Sequence, residues 1–176
     1  MTLSSPKDGW YFLKAAKDEK IYIAICTIVS VGLFLLMVLW HIWGKQNPSS
    51  TTYSIIPDEY RQIHEKFVEK YKVGEENGVP VVKPPPGGDV FMLAQQWSWR
   101  PALILKKGQE YRFHLASVDT LHGFSLQPIN MNYVVYPEYD YILTFRPTSS
   151  GDFRLFCNEF CGIGHHTMID KILVEE

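Results

Sequence analysis

Cys157-Asn158-Glu159-Phe160-Cys161-Gly162-Ile163-Gly164-His165-His166-Thr167-Met168 puts two thiols, an imidazole and a thioether into one turn-rich segment. Upstream, Asp119-Thr120-Leu121-His122-Gly123-Phe124 sets another histidine at the start of a candidate strand. Thiolate and thioether are soft ligands that favour copper, and imidazole suits copper well. A one-copper blue site on a β-sandwich takes two His, one Cys and a weakly bound Met. All are present here, with one cysteine to spare. Two bridging thiolates accommodate a second copper, each metal also taking one histidine. Met168 then serves one copper as a weak ligand, and the Glu159 backbone carbonyl serves the other. Such a pair shares one unpaired electron over both metals and the sulfurs, so bond lengths change little on reduction. No coordination position is left for a substrate, and the cluster reads as a relay.

Two plainer readings compete. His122, Cys157, Cys161 and His165 form a Cys₂His₂ set sufficient for tetrahedral zinc, but zinc leaves Met168 without a purpose. A Cys157–Cys161 disulfide suits an oxidising compartment, but it ignores both histidines. The chain has three cysteines, too few for a disulfide scaffold.

The surroundings of the cluster are strand-like. Stretches 90–99, 102–105, 111–116, 121–126, 139–146, 151–157 and 169–174 are rich in β-branched and aromatic residues. Lys107-Gly108, Pro137-Glu138 and Ser150-Gly151 break them. Short strands at this spacing predict a mainly β fold, a sandwich or Greek-key barrel. Trp97 and Trp99, two apart in the 90–99 stretch, are expected on one face of a strand. Asp119 caps a turn before His122 or orients that ligand from behind.

Further upstream, Tyr60, Ile63, Phe67 and Tyr71 recur at helical spacing, and Pro57 suits a first helical position. This predicts an amphipathic helix over 57–71 whose apolar face rests on the membrane or on a partner subunit. Gly74 and Asn77-Gly78 end it, and Pro84-Pro85-Pro86-Gly87-Gly88 reads as a linker. From Ile21 to Trp43 there is no charged side chain. At about 1.5 Å per residue this run spans a hydrocarbon core of about 30 Å. It is too long for a signal core of about 7–15 residues, and no small-x-small cleavage site follows. Lys7, Lys14, Lys17 and Lys20 precede it, with only Lys45 close behind. The N-terminus is therefore expected to be cytoplasmic and the rest exported. Net charge is −2 with no basic run, so nucleic acid is not an expected partner. The expected organisation is a cytoplasmic segment 1–20, a transmembrane helix 21–43, a connecting segment 44–89 and a β-domain 90–176.

Taken together, Cys-x-Glu-x-Cys-Gly-x-x-His-x-x-Met and Asp-x-x-His-Gly-Phe resemble the dinuclear copper A signature of cytochrome c oxidase subunit 2. The resemblance covers the anchor and the β-domain from about residue 90 onward. It implies a cupredoxin Greek-key barrel and the ligands His122, Cys157, the Glu159 carbonyl, Cys161, His165 and Met168. His165 is chosen over His166 because the family methionine falls three residues after the ligand. A single span resembles the form found in b-type haem-copper oxidases of bacterial and archaeal cell membranes. The resemblance further implies electron arrival from cytochrome c near Trp97 and Trp99, and transfer to haem in catalytic subunit 1. Oxygen reduction and proton pumping occur in that partner. A magnesium ion shared with subunit 1 through the Glu159 side chain is a further implication. The alternatives are the same centre in a nitric oxide reductase, and a membrane-anchored copper-delivery protein.

Overall fold

In the computed structural model the described residues are 8–9, 14–44, 50–129 and 131–176. They fall into two compact units, Met1–Asn47 and Pro48–Glu176. Lys7, Lys45 and much of the 1–20 segment, which bear on the expected orientation, lie outside the described residues.

The first unit is built on α1 (Lys17–Trp43). Its first turn holds Asp18 and Glu19, favourable beside the positive helix end, and Glu19 accepts a hydrogen bond from the Ala16 N–H at 2.7 Å. Beyond Lys20 its Ile, Val, Leu, Phe and Met side chains are exposed all round. A helix apolar on every face is suited to lipid and not to an aqueous surface. Among the described residues it is the one helix long and apolar enough to cross a membrane.

The second unit is a two-sheet β structure with one helix, α2 (Pro57–Tyr71). The first sheet runs, in spatial order, β1 (Ser50–Ser54), β10 (Tyr139–Phe145), β7 (Tyr111–Ser117), β4 (Asp89–Gln95) and β5 (Ser98–Arg100). The second runs β2 (Lys72–Glu76), β3 (Val79–Val82), β6 (Ala102–Lys106), β12 (Ile169–Glu175), β11 (Gly151–Phe156), β8 (His122–Gln127) and β9 (Met131–Val135). β4 runs parallel to β7, and β6 runs parallel to both β3 and β12. Side chains alternate along each strand. In β7, Tyr111, Phe113 and Leu115 are buried while Arg112 is exposed. These residues join Val90 and Met92 of the same sheet to Leu103, Phe124, Leu126, Leu155 and Ile172 of the other in one core. Each such side chain contributes about 1.5–3 kcal/mol of burial.

Three expectations are corrected. The 90–99 stretch is not one strand but the hairpin β4–β5, so the alternation rule does not run from Trp97 to Trp99. Trp97 sits in the turn and is 40% exposed, whereas Trp99 is fully buried and packs edge-to-face on Phe124 with ring centroids 5.4 Å apart. Asn77-Gly78 does not simply follow a helix end: with φ of 49° and 77° these residues make the tight turn of the β2–β3 hairpin. Finally, α2 lies on its own β-structure. Tyr60 and Phe67 meet Phe91 of β4 edge-on, and the Tyr60 hydroxyl lies 3.0 Å from the Met92 carbonyl and 2.7 Å from that of His114. Its buried stripe is Tyr60, His64 and Phe67, while Ile63 is exposed.

Candidate metal centre

Three neighbouring strands bring the donors to one end of the second sheet. β11 pairs with β8 on one side and β12 on the other. His122 opens β8, Cys157 directly follows β11, and Met168 directly precedes β12. The Cys157 N–H donates to the Met168 carbonyl at 3.1 Å, closing the base of the loop between them. Within that loop a short 3₁₀ turn, His165–Thr167, carries the second histidine.

All six sequence-predicted donors converge. The two Sγ atoms are 3.7 Å apart, and both cysteines are unbonded. Cys157 Sγ lies 3.8 Å from His122 Nδ1 and 3.2 Å from the Glu159 carbonyl. Cys161 Sγ lies 3.7 Å from His165 Nδ1 and 3.8 Å from Met168 Sδ. His122, Cys161 and Met168 are at most 3% exposed, and His165 is partly buried. His166 points to solvent. The set is sulfur-rich, dry and ringed by imidazole, which fits copper. Zinc would be satisfied by four of these donors, yet the buried thioether of Met168 stands against Cys161 as a fifth.

Neighbours hold the donors in place. Asp119 accepts from His122 Nε2–H at 2.8 Å, which turns the lone pair of Nδ1 toward Cys157. The same carboxylate accepts the Thr120 N–H at 2.7 Å and the Gln96 N–H at 2.6 Å, so it both caps the turn and orients the ring. The Ser117 hydroxyl donates to the Thr120 carbonyl, fixing the same turn. Gly123 is required by close approach: a Cβ there would lie 2.0 Å from Asn158 Oδ1 and 2.8 Å from the Glu159 nitrogen. Trp97 covers the loop from outside, since a Cβ on Gly164 would meet its ring at 2.4 Å. Trp99 reaches the centre from inside, its ring 6.2 Å from His122.

Sequence reasoning missed Gln96. Its side-chain amide donates to the Cys161 carbonyl at 2.7 Å while its backbone N–H holds Asp119. Nothing in its sequence position marks it except adjacency to Trp97. Asn132 was missed too; its Oδ1 accepts from Asn158 Nδ2 at 3.0 Å, tying β9 to the loop.

The two thiols are electrostatically unlike. Burial opposes charge on Cys157, but His122 and the backbone around Gly123 and Glu159 outweigh it and bring this thiol down to about 6. Burial, then the Cys157 charge, push Cys161 up to about 12. The pair therefore gives up its first proton far more readily than its second, which a bound cation would help to draw off. Asp119 stays below the usual carboxylate range: its burial is outweighed by hydrogen bonds from His122, Gln96 and Thr120.

No protein-family profile matches the chain. An 88-residue stretch is 33% identical to cytochrome c oxidase subunit 2 of Thermus thermophilus, covering 49% of this chain and 65% of that protein. The chain thus spans between about half and two thirds of the length of such curated relatives. A 75-residue stretch, 40% of this chain, is 33% identical to nitrous-oxide reductase of Cupriavidus necator, of which it covers 12%. In fold, the chain is similar to a heme-copper terminal oxidase seen by cryo-EM, with TM-score 0.59 and 22% identity over 90% of this chain and 100% of that one. It is also similar to rusticyanin from Thiobacillus ferrooxidans, with TM-score 0.54 and 15% identity over 74% of this chain and 100% of that one. The chain is similar to cytochrome c oxidase subunit 2 over about half its length, and its β-domain is a cupredoxin-like barrel that follows one N-terminal apolar helix.

Proposed function

We propose that this chain is the electron-accepting subunit of a respiratory haem-copper oxidase in a bacterial or archaeal cell membrane. The observation that carries the reading is the second buried thiol. Cys161 stands at once beside Cys157, His165 and Met168, a position with no use in a one-copper site. His122, Cys157, the Glu159 carbonyl, Cys161, His165 and Met168 would hold two copper ions. Copper bound there would supply one-electron redox chemistry. The surrounding residues keep the donors fixed: Asp119 holds the His122 ring, Gln96 holds the Cys161 backbone, and the core excludes water from the thiols.

Trp97, exposed above the ligand loop, is where electrons arrive from cytochrome c. They leave for haem in catalytic subunit 1, in which oxygen is reduced and protons are moved. The Glu159 side chain, partly exposed beside the loop, is the group that shares a magnesium ion with that subunit. α1 anchors the chain in the bilayer, with the N-terminus cytoplasmic and the β-domain on the outer side. A second reading, an electron relay for a reductase of nitrogen oxides, is favoured by the nitrous-oxide reductase match. Co-purification with a haem-bearing, oxygen-reducing subunit separates the two.

The copper count of the full chain, reconstituted in detergent, tests the site. Two copper per chain are expected, falling to one or none in Cys161→Ser. An unchanged count in that variant contradicts the assignment.

A further inference from the structure

α2 and the strands β3, β4 and β5 enclose a groove of about 430 Å³. Its walls carry Arg61, His64 and Arg100, with Glu65, Glu69 and Lys72 also lining it. Two polar atoms in this wall have no partner. His64 is 5% exposed and its Nε2 is unbonded. The Nε of Arg100 is likewise buried without an acceptor, and its Nη2 makes only a 3.4 Å contact with the Gly78 carbonyl. Arg61 is held no better, at 3.4 Å from Gln95 Oε1 and 4.0 Å from Asp58. Lys72, by contrast, is already engaged with Glu75 at 2.8 Å.

Buried polar groups are almost always satisfied, and an unsatisfied guanidinium beside an unsatisfied imidazole signals a missing acceptor. We propose that this groove binds a phosphate-type oxyanion, held by Arg61, His64 and Arg100. Guanidinium groups present paired donors matched to phosphate oxygens. The facing charges are Arg61, Arg100 and Lys72 against the exposed Glu65 and Glu69, with Glu75 and Asp170 also near Arg100, a balance that disfavours a polyanion. The phosphate belongs either to a soluble ion or to a lipid headgroup.

Binding is linked to protonation. Burial lowers His64 to about 4, opposed by a hydrogen bond with the Arg100 backbone and reinforced by the charges of Arg100 and Arg61. An oxyanion beside Nε2 favours the protonated ring, so the occupied groove takes up a proton and the His64 midpoint rises.

The test is the NMR titration of the His64 ring in the full chain in neutral detergent, at constant ionic strength. One arm adds inorganic phosphate against chloride; the other adds phosphatidylglycerol bicelles against phosphatidylcholine bicelles. A saturable rise of about one pH unit or more is expected, a tenfold or greater preference for the protonated form. A rise with inorganic phosphate assigns a soluble ion, and a rise with phosphatidylglycerol alone assigns a lipid. The rise should vanish in Arg100→Gln and shrink in Arg61→Gln. No rise in either arm, or an equal rise in both variants, overturns the proposal.

Discussion

Cys161 carries the distinction between a one-copper and a two-copper site, because a one-copper site already uses both histidines, Met168 and a single thiolate. His165 and His166 are adjacent and chemically identical, yet the 3₁₀ turn aims one at Cys161 and the other at solvent. In the full chain loaded with copper, His165→Ala is expected to lose about half the metal or more, and His166→Ala to keep it. Copper analysis with the visible absorption spectrum reads both, and the reverse result moves the ligand by one position. The donors were legible in the sequence because metal chemistry demands particular residue types at close spacing. Gln96 was not, because an amide that braces a backbone carbonyl 65 positions away leaves no local pattern. Trp97 and Trp99 do not share a face for a related reason: the tight turn at Gln96-Trp97 removes the periodicity on which that placement relies.

Among the elements, most strands inside the sheets were readable, while β3, interior but short, and the edge strands β1, β2 and β9 were not. β6, β7, β8, β10, β11 and β12 lie inside their sheets, bury apolar residues, and follow the expected stretches closely. β1, β2 and β9 are edge strands; β1 and β2 are exposed wherever described, and β9 alternates only weakly. An edge strand is stabilised by its one neighbour, so its own composition carries little signal. The buried stripe of α2 was misread by one residue because His64, being polar, was passed over for Ile63. That histidine makes the helix acid-sensitive. His64 titrates at about 4 when folded, against 6.5 for the free side chain, because burial disfavours its charge. Between those values the unfolded chain binds the extra proton, so stability is full above about pH 6.5 and falls as pH drops toward 4. The loss should be about 2–3 kcal/mol. Urea unfolding of the full chain in phosphate-free detergent solution at pH 7 and pH 4.5 measures it. A clearly smaller difference is expected in His64→Gln, and an equal one contradicts this account.

Over the whole molecule, the apolar helix and the β-barrel answer different solvents. α1 has no buried residue and is apolar on every side, while Pro48–Glu176 has its own core and binds its own hydrogen-bonded loop. The proposed electron transfer is a use that such a division would serve: a fixed, buried cluster of soft donors carried on a β-barrel that follows an apolar helix. The most direct measurement is the electron paramagnetic resonance spectrum of the oxidised, copper-loaded full chain. A single unpaired electron split by two copper nuclei is the predicted result, whereas splitting by one copper nucleus, or a silent protein filled with zinc, would contradict it.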